Sequence, residues 1–199
     1  MSRKSLVLII FIFAVVGIYG LFYAAVTAVL IPQDLNEFKN ELNTMPQLPV
    51  NNDSSIKDLE SQAATIESSS PLKYMSQSER ASMANQMRSG NAIPPEAMNP
   101  NFSGYNAYNN YKALAYALIL KGDISNEIKN LSSSYEELSS YANKTEAINQ
   151  KMATDFENGD NKAYANDLRS MANMMKQYNS EIAQLKTQLQ NVINTLSKW

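Results

Sequence analysis

The chain has 199 residues, 17 of them basic and 19 acidic, for a formal net charge of −2. It contains neither cysteine nor histidine, which removes disulfides, thiolate metal sites and the side chain most used for acid–base catalysis and transition-metal binding. Charged residues make up only 18%, and no basic block or stripe offers a footprint for nucleic acid.

The length suits one folded domain of roughly 100–200 residues together with an anchor. Residues 5–31, SLVLIIFIFAVVGIYGLFYAAVTAVLI, carry no charged side chain. About 20 apolar residues cross a hydrocarbon core roughly 30 Å thick, so this run predicts a transmembrane anchor with some tilt to spare. A cleavable leader is the competing reading, with Val26-Thr27-Ala28 as a small-residue cleavage site. Its apolar core would span about 7–15 residues, which favours a retained anchor here. Arg3 and Lys4 precede the run, so residues 1–4 are expected in the cytoplasm and the remainder outside. Gly17 and Gly20 do not have the Gly-x-x-x-Gly spacing of close helix pairs, so the anchor carries no dimerisation signal.

Residues 32–44 predict a juxtamembrane helix. Pro32 can open it, Asp34 and Glu37 suit its first turn, and Leu35, Phe38 and Leu42 share a face. Residues 45–104 form a helical and linker region. Pro46 and Pro49 break the chain, and 54–67 then predict a helix with Ile56, Leu59, Ala63 and Ile66 on one side. Leu72, Met75, Met83 and Met87 make an incomplete stripe over 72–88, with Ser76 and Glu79 at capping-box spacing and Gly90 as a stop. GNAIPPEAMNPNFSG then reads as a long irregular loop, a candidate recognition surface.

Residues 105–199 predict a helical bundle. The segment 105–121 is a helix whose second half is apolar on nearly every face, ended by Gly122, with Asp123 capping the next helix. Tyr108 and Tyr111 share its apolar face; Tyr105, beside the loop, is a possible recognition residue. The segment resembles one tetratricopeptide helix, but no second copy at a period of about 34 residues supports a solenoid.

The strongest pattern follows. Ile124, Ile128, Leu131, Tyr135, Leu138, Ala142, Thr145, Asn149, Met152 and Phe156 are separated by alternating steps of four and three. Tyr164, Leu168, Met171, Met175, Tyr178, Ile182, Leu185, Leu189, Val192, Leu196 and Trp199 repeat the alternation. Positions mirrored about Asp160 match, 156 with 164 and 124 with 196, so helices over 123–158 and 160–199 are expected to meet as an antiparallel coiled-coil hairpin. On that register Met171 faces Asn149 and Met175 faces Thr145, flexible side chains filling awkward gaps. Asn149 on the seam is expected to fix register at some cost in stability, and Trp199 to close the core.

Chemistry is sparse. Asp155 to Asp160 looks like the start of a calcium loop but puts Gly159 and Asp160 at its fifth and sixth positions, where a ligand and a glycine are needed. A helix-ending glycine followed by a capping aspartate accounts for it. No pair of acids faces a cleft, and no phosphate loop, activated serine or zinc spacing occurs. Catalytic, cofactor and metal sites are all expected to be absent. Asn52, Asn101, Asn130 and Asn143 head Asn-x-Ser/Thr triplets, possible glycosylation sites that nothing excludes sterically.

The sequence thus predicts an all-α, single-pass membrane protein with an extracytoplasmic helical domain built on a coiled-coil hairpin. Its expected function is interaction: a tether, scaffold or accessory subunit of a membrane or surface assembly, without catalysis. Its expected partners are the lipid bilayer and a protein or second copy, and not nucleic acid. The alternative is a sensory or small-ligand-binding bundle acting with a signalling partner, disfavoured by the four residues that precede the anchor.

Overall fold

The computed structural model describes residues 3–45, 52–89, 115–116, 118–120 and 124–199, side chains at 3–10, 52 and 125 excepted. Every described element is helical: α1 (Arg3–Ala25), a π-helical turn (Val26–Leu30), α2 (Ile31–Thr44), α3 (Asn52–Ser69), a 3-10 turn (Pro71–Tyr74), α4 (Gln77–Ser89), α5 (Ile124–Glu157) and α6 (Asn161–Leu196). Two compact units form. One gathers Met1–Thr44, Phe102–Ser132 and Thr187–Trp199; the other gathers Met45–Asn101 and Ser133–Lys186. This grouping interleaves the linear segments that composition suggests, because long helices bring together stretches far apart in sequence.

In the first unit, α1, the π turn and α2 form one unbroken helical path. Pro32 explains the turn. Proline lacks an N–H and its ring crowds the carbonyl four residues back, here that of Ala28. The helix widens instead, and the Ile31 N–H bonds the Val26 carbonyl five residues back. That brings Val26 and Ile31, each 3% exposed, into the unit's interior. Beyond it α2 buries Ile31, Asp34, Phe38 and Glu41, at steps of three, four and three. The expected face of Leu35, Phe38 and Leu42 is therefore corrected: Phe38 is buried, whereas Leu35 and Leu42 are only half-buried. Because the helix is continuous, α2 offers no free N-terminus for Asp34 to cap. Ala115, Tyr116, Ile119 and Leu120 are buried in the same unit, as are Ile124, Ile128, Leu131, Leu189, Val192 and Leu196.

In the second unit the chain reverses at Gly159. The Gly159 N–H bonds the Phe156 carbonyl at 3.0 Å and the Asp160 N–H the Asp155 carbonyl at 3.0 Å, the paired bonds of a Schellman motif. Gly159 takes the left-handed conformation that motif needs, φ 74°. Asp160 caps α6 at once, its Oδ1 accepting from the Ala163 N–H at 2.9 Å. Across the turn the Phe156 and Tyr164 rings meet edge to face at 5.1 Å, and those of Tyr141 and Tyr178 at 5.5 Å. The Thr145 hydroxyl reaches the Met174 sulfur at 3.4 Å. Two contacts beyond the mirrored pairing appear: Tyr141 meets Tyr178, and Met174, next to Met175, meets Thr145. Both methionines are buried, since α6 also packs toward α3.

Two ion pairs set the α3–α6 alignment, Glu67 with Arg169 at 2.5 Å and Glu60 with Lys176 at 2.6 Å. The helices therefore run in opposite directions. Exposed pairs of this kind contribute little stability, but Ala63 and Ala172, fully buried between them in sequence, let the backbones approach. On α4 the capping box forms: the Ser76 N–H donates to Glu79 Oε2 at 2.8 Å and the Glu79 N–H to the Ser76 hydroxyl at 3.3 Å. The expected methionine stripe is corrected here. Ala84 is buried, while Met83 is exposed, because the small residue faces the packed side.

Arg80 ties these elements to the reversal. Its Nε donates to the Glu157 carbonyl at 3.1 Å, and its guanidinium also donates to the carbonyls of Leu72 at 3.1 Å and Met75 at 2.7 Å. Asn161 adds a buried bond, its Oδ1 accepting from the Leu72 N–H at 3.0 Å. A Cβ at Gly159 would lie 3.1 Å from Arg80 Cζ. Arg80→Met removes three bonds to carbonyls, of which only that of Leu72 keeps another donor, the Met75 N–H, and should cost about 2–4 kcal/mol. Gly159→Ala should cost about 1–2 kcal/mol from the left-handed backbone and the close approach. Denaturant unfolding of the detergent-solubilised chain measures both. The double variant should lose less than the sum, because removing the guanidinium relieves the contact at residue 159.

Candidate functional site

Two features stand out chemically: an uncovered apolar helix and a buried acid–lysine cluster. From Phe11 through Ala25 every side chain of α1 is exposed, Phe13 by 72% and Leu21 by 75%. Each large apolar side chain of this kind gains about 1.5–3 kcal/mol on leaving water, so a whole helix of them is far outside what a soluble surface carries. This is the one helix among the described residues that is long and apolar enough to cross a membrane. Beyond α1, Val26 and Ile31 are buried while Ala28 and Val29 stay exposed, so at the end of the uncharged run of residues 5–31 only one side of the helix packs into the first unit.

Within that unit Tyr116, fully buried, donates its hydroxyl to Asp34 Oδ2 at 2.6 Å. The short bond is what a charge-assisted O–H to carboxylate pair gives, and it lowers the cost of burying the acid. Sequence periodicity hides this residue: carboxylates at 34 and 41 look like solvent positions, so the alternating buried steps through 31, 34, 38 and 41 read as polar.

The second feature joins α5 to α6 within the second unit. Lys151 Nζ lies 2.5 Å from Asp167 Oδ1 and 2.8 Å from Asp155 Oδ2. The side chain of Asp167 is 5% exposed and that of Lys151 is 62% exposed, so the cation reaches inward from solvent to a buried carboxylate. Asp167 Oδ2 is buried without a hydrogen bond. Burial pushes the Asp167 carboxyl up, with the neighbouring Asp155 adding to this against the lysine. Lys151 holds Asp155 below the usual range, and the two acids in turn raise the ammonium. The sequence gives no signal for this cluster: Asp155 sits in a run that resembles a calcium loop, and Asp167 lies 16 residues from the lysine that reaches it. Among the described residues no group of three acidic side chains is arranged to hold a metal.

Most residues expected along the seam are buried: Ile124, Ile128, Leu131, Tyr135, Leu138, Met152 and Phe156 on α5, and Tyr164, Leu168, Met171, Met175, Tyr178, Ile182, Leu185, Leu189, Val192 and Leu196 on α6, whereas Ala142 is half-buried. Trp199 departs from its expected place in the core. α6 ends at Leu196, and Trp199 is 51% exposed beyond it. Asn149 is half-buried with its Oδ1 unbonded, which is a cost in stability. Asn130 and Asn143 are exposed on α5. The triplet of Asn143 is nevertheless closed in the folded helix, because the Thr145 hydroxyl is buried and donates to the Tyr141 carbonyl at 2.7 Å. Tyr105, Tyr108, Tyr111, Asn101, Gly90, Gly122, Asp123 and the side chain of Asn52 lie outside the described residues.

The cluster predicts a pH signature. A carboxyl raised on folding favours the folded state at low pH, and that contribution is lost as pH rises through its folded value. Asp155, lowered on folding, contributes in the opposite sense: present above the ordinary carboxylate value and lost on acidification. Asp167→Asn removes the first contribution, the one that acts above the ordinary carboxylate value, and weakens the second, to which Asp167 lends a bond. Its stability should therefore rise more steeply with pH than that of the parent just above about pH 4, where carboxylates ordinarily titrate. Lys151→Met should cost about 1–2 kcal/mol at neutral pH and less in acid, where Asp167 takes a proton instead. Urea midpoints across pH measure both.

No protein-family model, curated protein or solved structure matches this chain, so the chemistry of these surfaces is the guide to what it does.

Proposed function

We propose that the chain is a membrane-anchored interaction protein: a tether, scaffold or accessory subunit held at a bilayer by α1, without catalysis of its own. The observation that carries this is the exposed apolar helix, continuous with a well-packed helical unit. A helix uncovered over Phe11 to Ala25 needs an apolar surrounding, and a bilayer supplies it along the whole length. Helices offer partners long faces rather than a reactive cleft, and the outer faces of α5 and α6 are rich in Asn, Ser, Gln and scattered charges.

In this reading α5 and α6 pair as an antiparallel coiled coil. The alternating steps of four and three support it, as do the contacts of Phe156 with Tyr164 and of Tyr141 with Tyr178. The chain crosses once, with Arg3 and Lys4 on the cytoplasmic side by the positive-inside rule and the helical domain outside. A protein partner or a second copy docks on the domain's outer faces.

The orientation is directly testable because the chain has no cysteine. Asn143→Cys, on an exposed α5 position, should react with a membrane-impermeant maleimide on intact cells, whereas Ser2→Cys should react only after permeabilisation. The opposite pattern would contradict the topology. The partner is tested by cross-linking the intact chain in its native membrane through the exposed amines of Lys144 and Lys176. A specific adduct with another protein or with a second copy is expected; a chain that remains uncross-linked would contradict the interaction reading.

A further inference from the structure

The reversal in the second unit is built on the chain's one Asn-Gly pair, Asn158-Gly159. Asparagine is a thermolabile residue, and a following glycine presents its nitrogen to the side-chain amide with no Cβ in the way. Asn158 is exposed, so water and hydroxide reach it. Its reactivity is a property separate from the turn it helps to make, and independent of how the chain meets a membrane.

The closed reversal opposes that reaction. The Gly159 nitrogen becomes a nucleophile only after losing its proton, and that proton is held on the Phe156 carbonyl, the N···O distance being 3.0 Å. Closing a five-membered ring onto this nitrogen also requires rotation about the Asn158 Cα–C bond. Bonds on both sides resist it, from the Asn158 N–H to the Thr154 carbonyl at 3.0 Å and from the Asp160 N–H to the Asp155 carbonyl at 3.0 Å. The Arg80 guanidinium covers the side of Gly159 where a Cβ would stand, 3.1 Å from Arg80 Cζ. That cover is itself fastened to the carbonyls of Glu157, Leu72 and Met75.

We propose that Asn158 is a site of spontaneous isoaspartate formation, held in check by the closed reversal and released when it opens. Hydroxide takes the Gly159 amide proton, and the nitrogen bonds to Asn158 Cγ. The Cγ–Nδ2 bond breaks, and the leaving nitrogen takes a proton from water and departs as ammonia. Water then opens the succinimide. Cleavage at the side-chain carbonyl restores the ordinary peptide link, now with an aspartate. Cleavage at the main-chain carbonyl routes the backbone through the side chain, one carbon longer. That carbon displaces Gly159 and Asp160 from the carbonyls they bond, so a reversal that has opened and reacted does not close on the same residues. The second unit thereby keeps a covalent record of its own opening.

The test incubates the full chain in mild detergent at mildly alkaline pH, folded or in concentrated urea. Residue 158 is followed by peptide mass spectrometry and by methyl labelling with a protein isoaspartate methyltransferase. In urea Asn158 should convert ahead of every other asparagine, and in the folded chain about tenfold more slowly or slower still. Arg80→Met should speed conversion in the folded chain by about tenfold, because the rate follows the open population. Asp160→Ala, which loses the cap of α6, is a milder variant and should fall between the parent and Arg80→Met. Asn158→Gln should abolish the methyl label on that peptide. Equal rates in folded and urea-unfolded chains, or another asparagine converting first in urea, would overturn the proposal. So would Arg80→Met and Asp160→Ala both converting no faster than the parent.

Discussion

The reversal at Gly159 is the constraint on which the packing of the second unit depends. A left-handed glycine closes α5, and the next residue caps α6, so the chain reverses there without a spacer. Because each side chain on a helix is fixed in direction by its backbone, the position of the turn decides which residues meet farther along. Phe156 meets Tyr164 beside the turn, and Tyr141 meets Tyr178 several turns away. A shift of one residue in the reversal would move the whole buried set. Arg80 adds a second lock, since it bonds the last carbonyl of α5 and two carbonyls of the 3-10 region together.

The first unit obeys a different constraint, the change from exposed to buried side chains along one continuous helix. Apolar side chains are uncovered on every side from Phe11 to Ala25; from Val26 one side is covered, while Ala28 and Val29 stay exposed on another. Pro32 would break a regular helix near this boundary; the π turn absorbs the missing donor and also redirects the buried face. The same five residues thus resolve a local backbone conflict and set where the exposed helix gives way to the packed unit.

Much of this was legible in the sequence, for physical reasons that differ by element. The seam residues of α5 and α6 repeat over many turns, and the glycine–aspartate pair at the reversal has one natural reading. The capping box at Ser76 and Glu79 is equally local and equally readable. Side-chain identity misled wherever burial did not follow polarity. Asp34 is buried because Tyr116 bonds it, Asp167 because Lys151 reaches it, and neither partner is near in sequence. The small residues Ala63, Ala84 and Ala172 are fully buried although stripes of larger residues draw the eye, since close backbone approach favours them. Arg80 left no sequence signal, because its partners are main-chain carbonyls. Trp199 fits the periodicity of α6 numerically, yet the helix ends three residues earlier.

Both units use little chemistry: helices, one of them long, apolar and uncovered, and polar side chains used for locking. The register of α5 against α6 is the claim most directly open to measurement. In a chain free of cysteine, Tyr141→Cys with Tyr178→Cys should form a disulfide rapidly under mild oxidation in membranes, while Tyr141→Cys with Leu185→Cys, two turns away, should not. Rapid closure of the second pair, or failure of the first while the chain remains folded, would contradict the account.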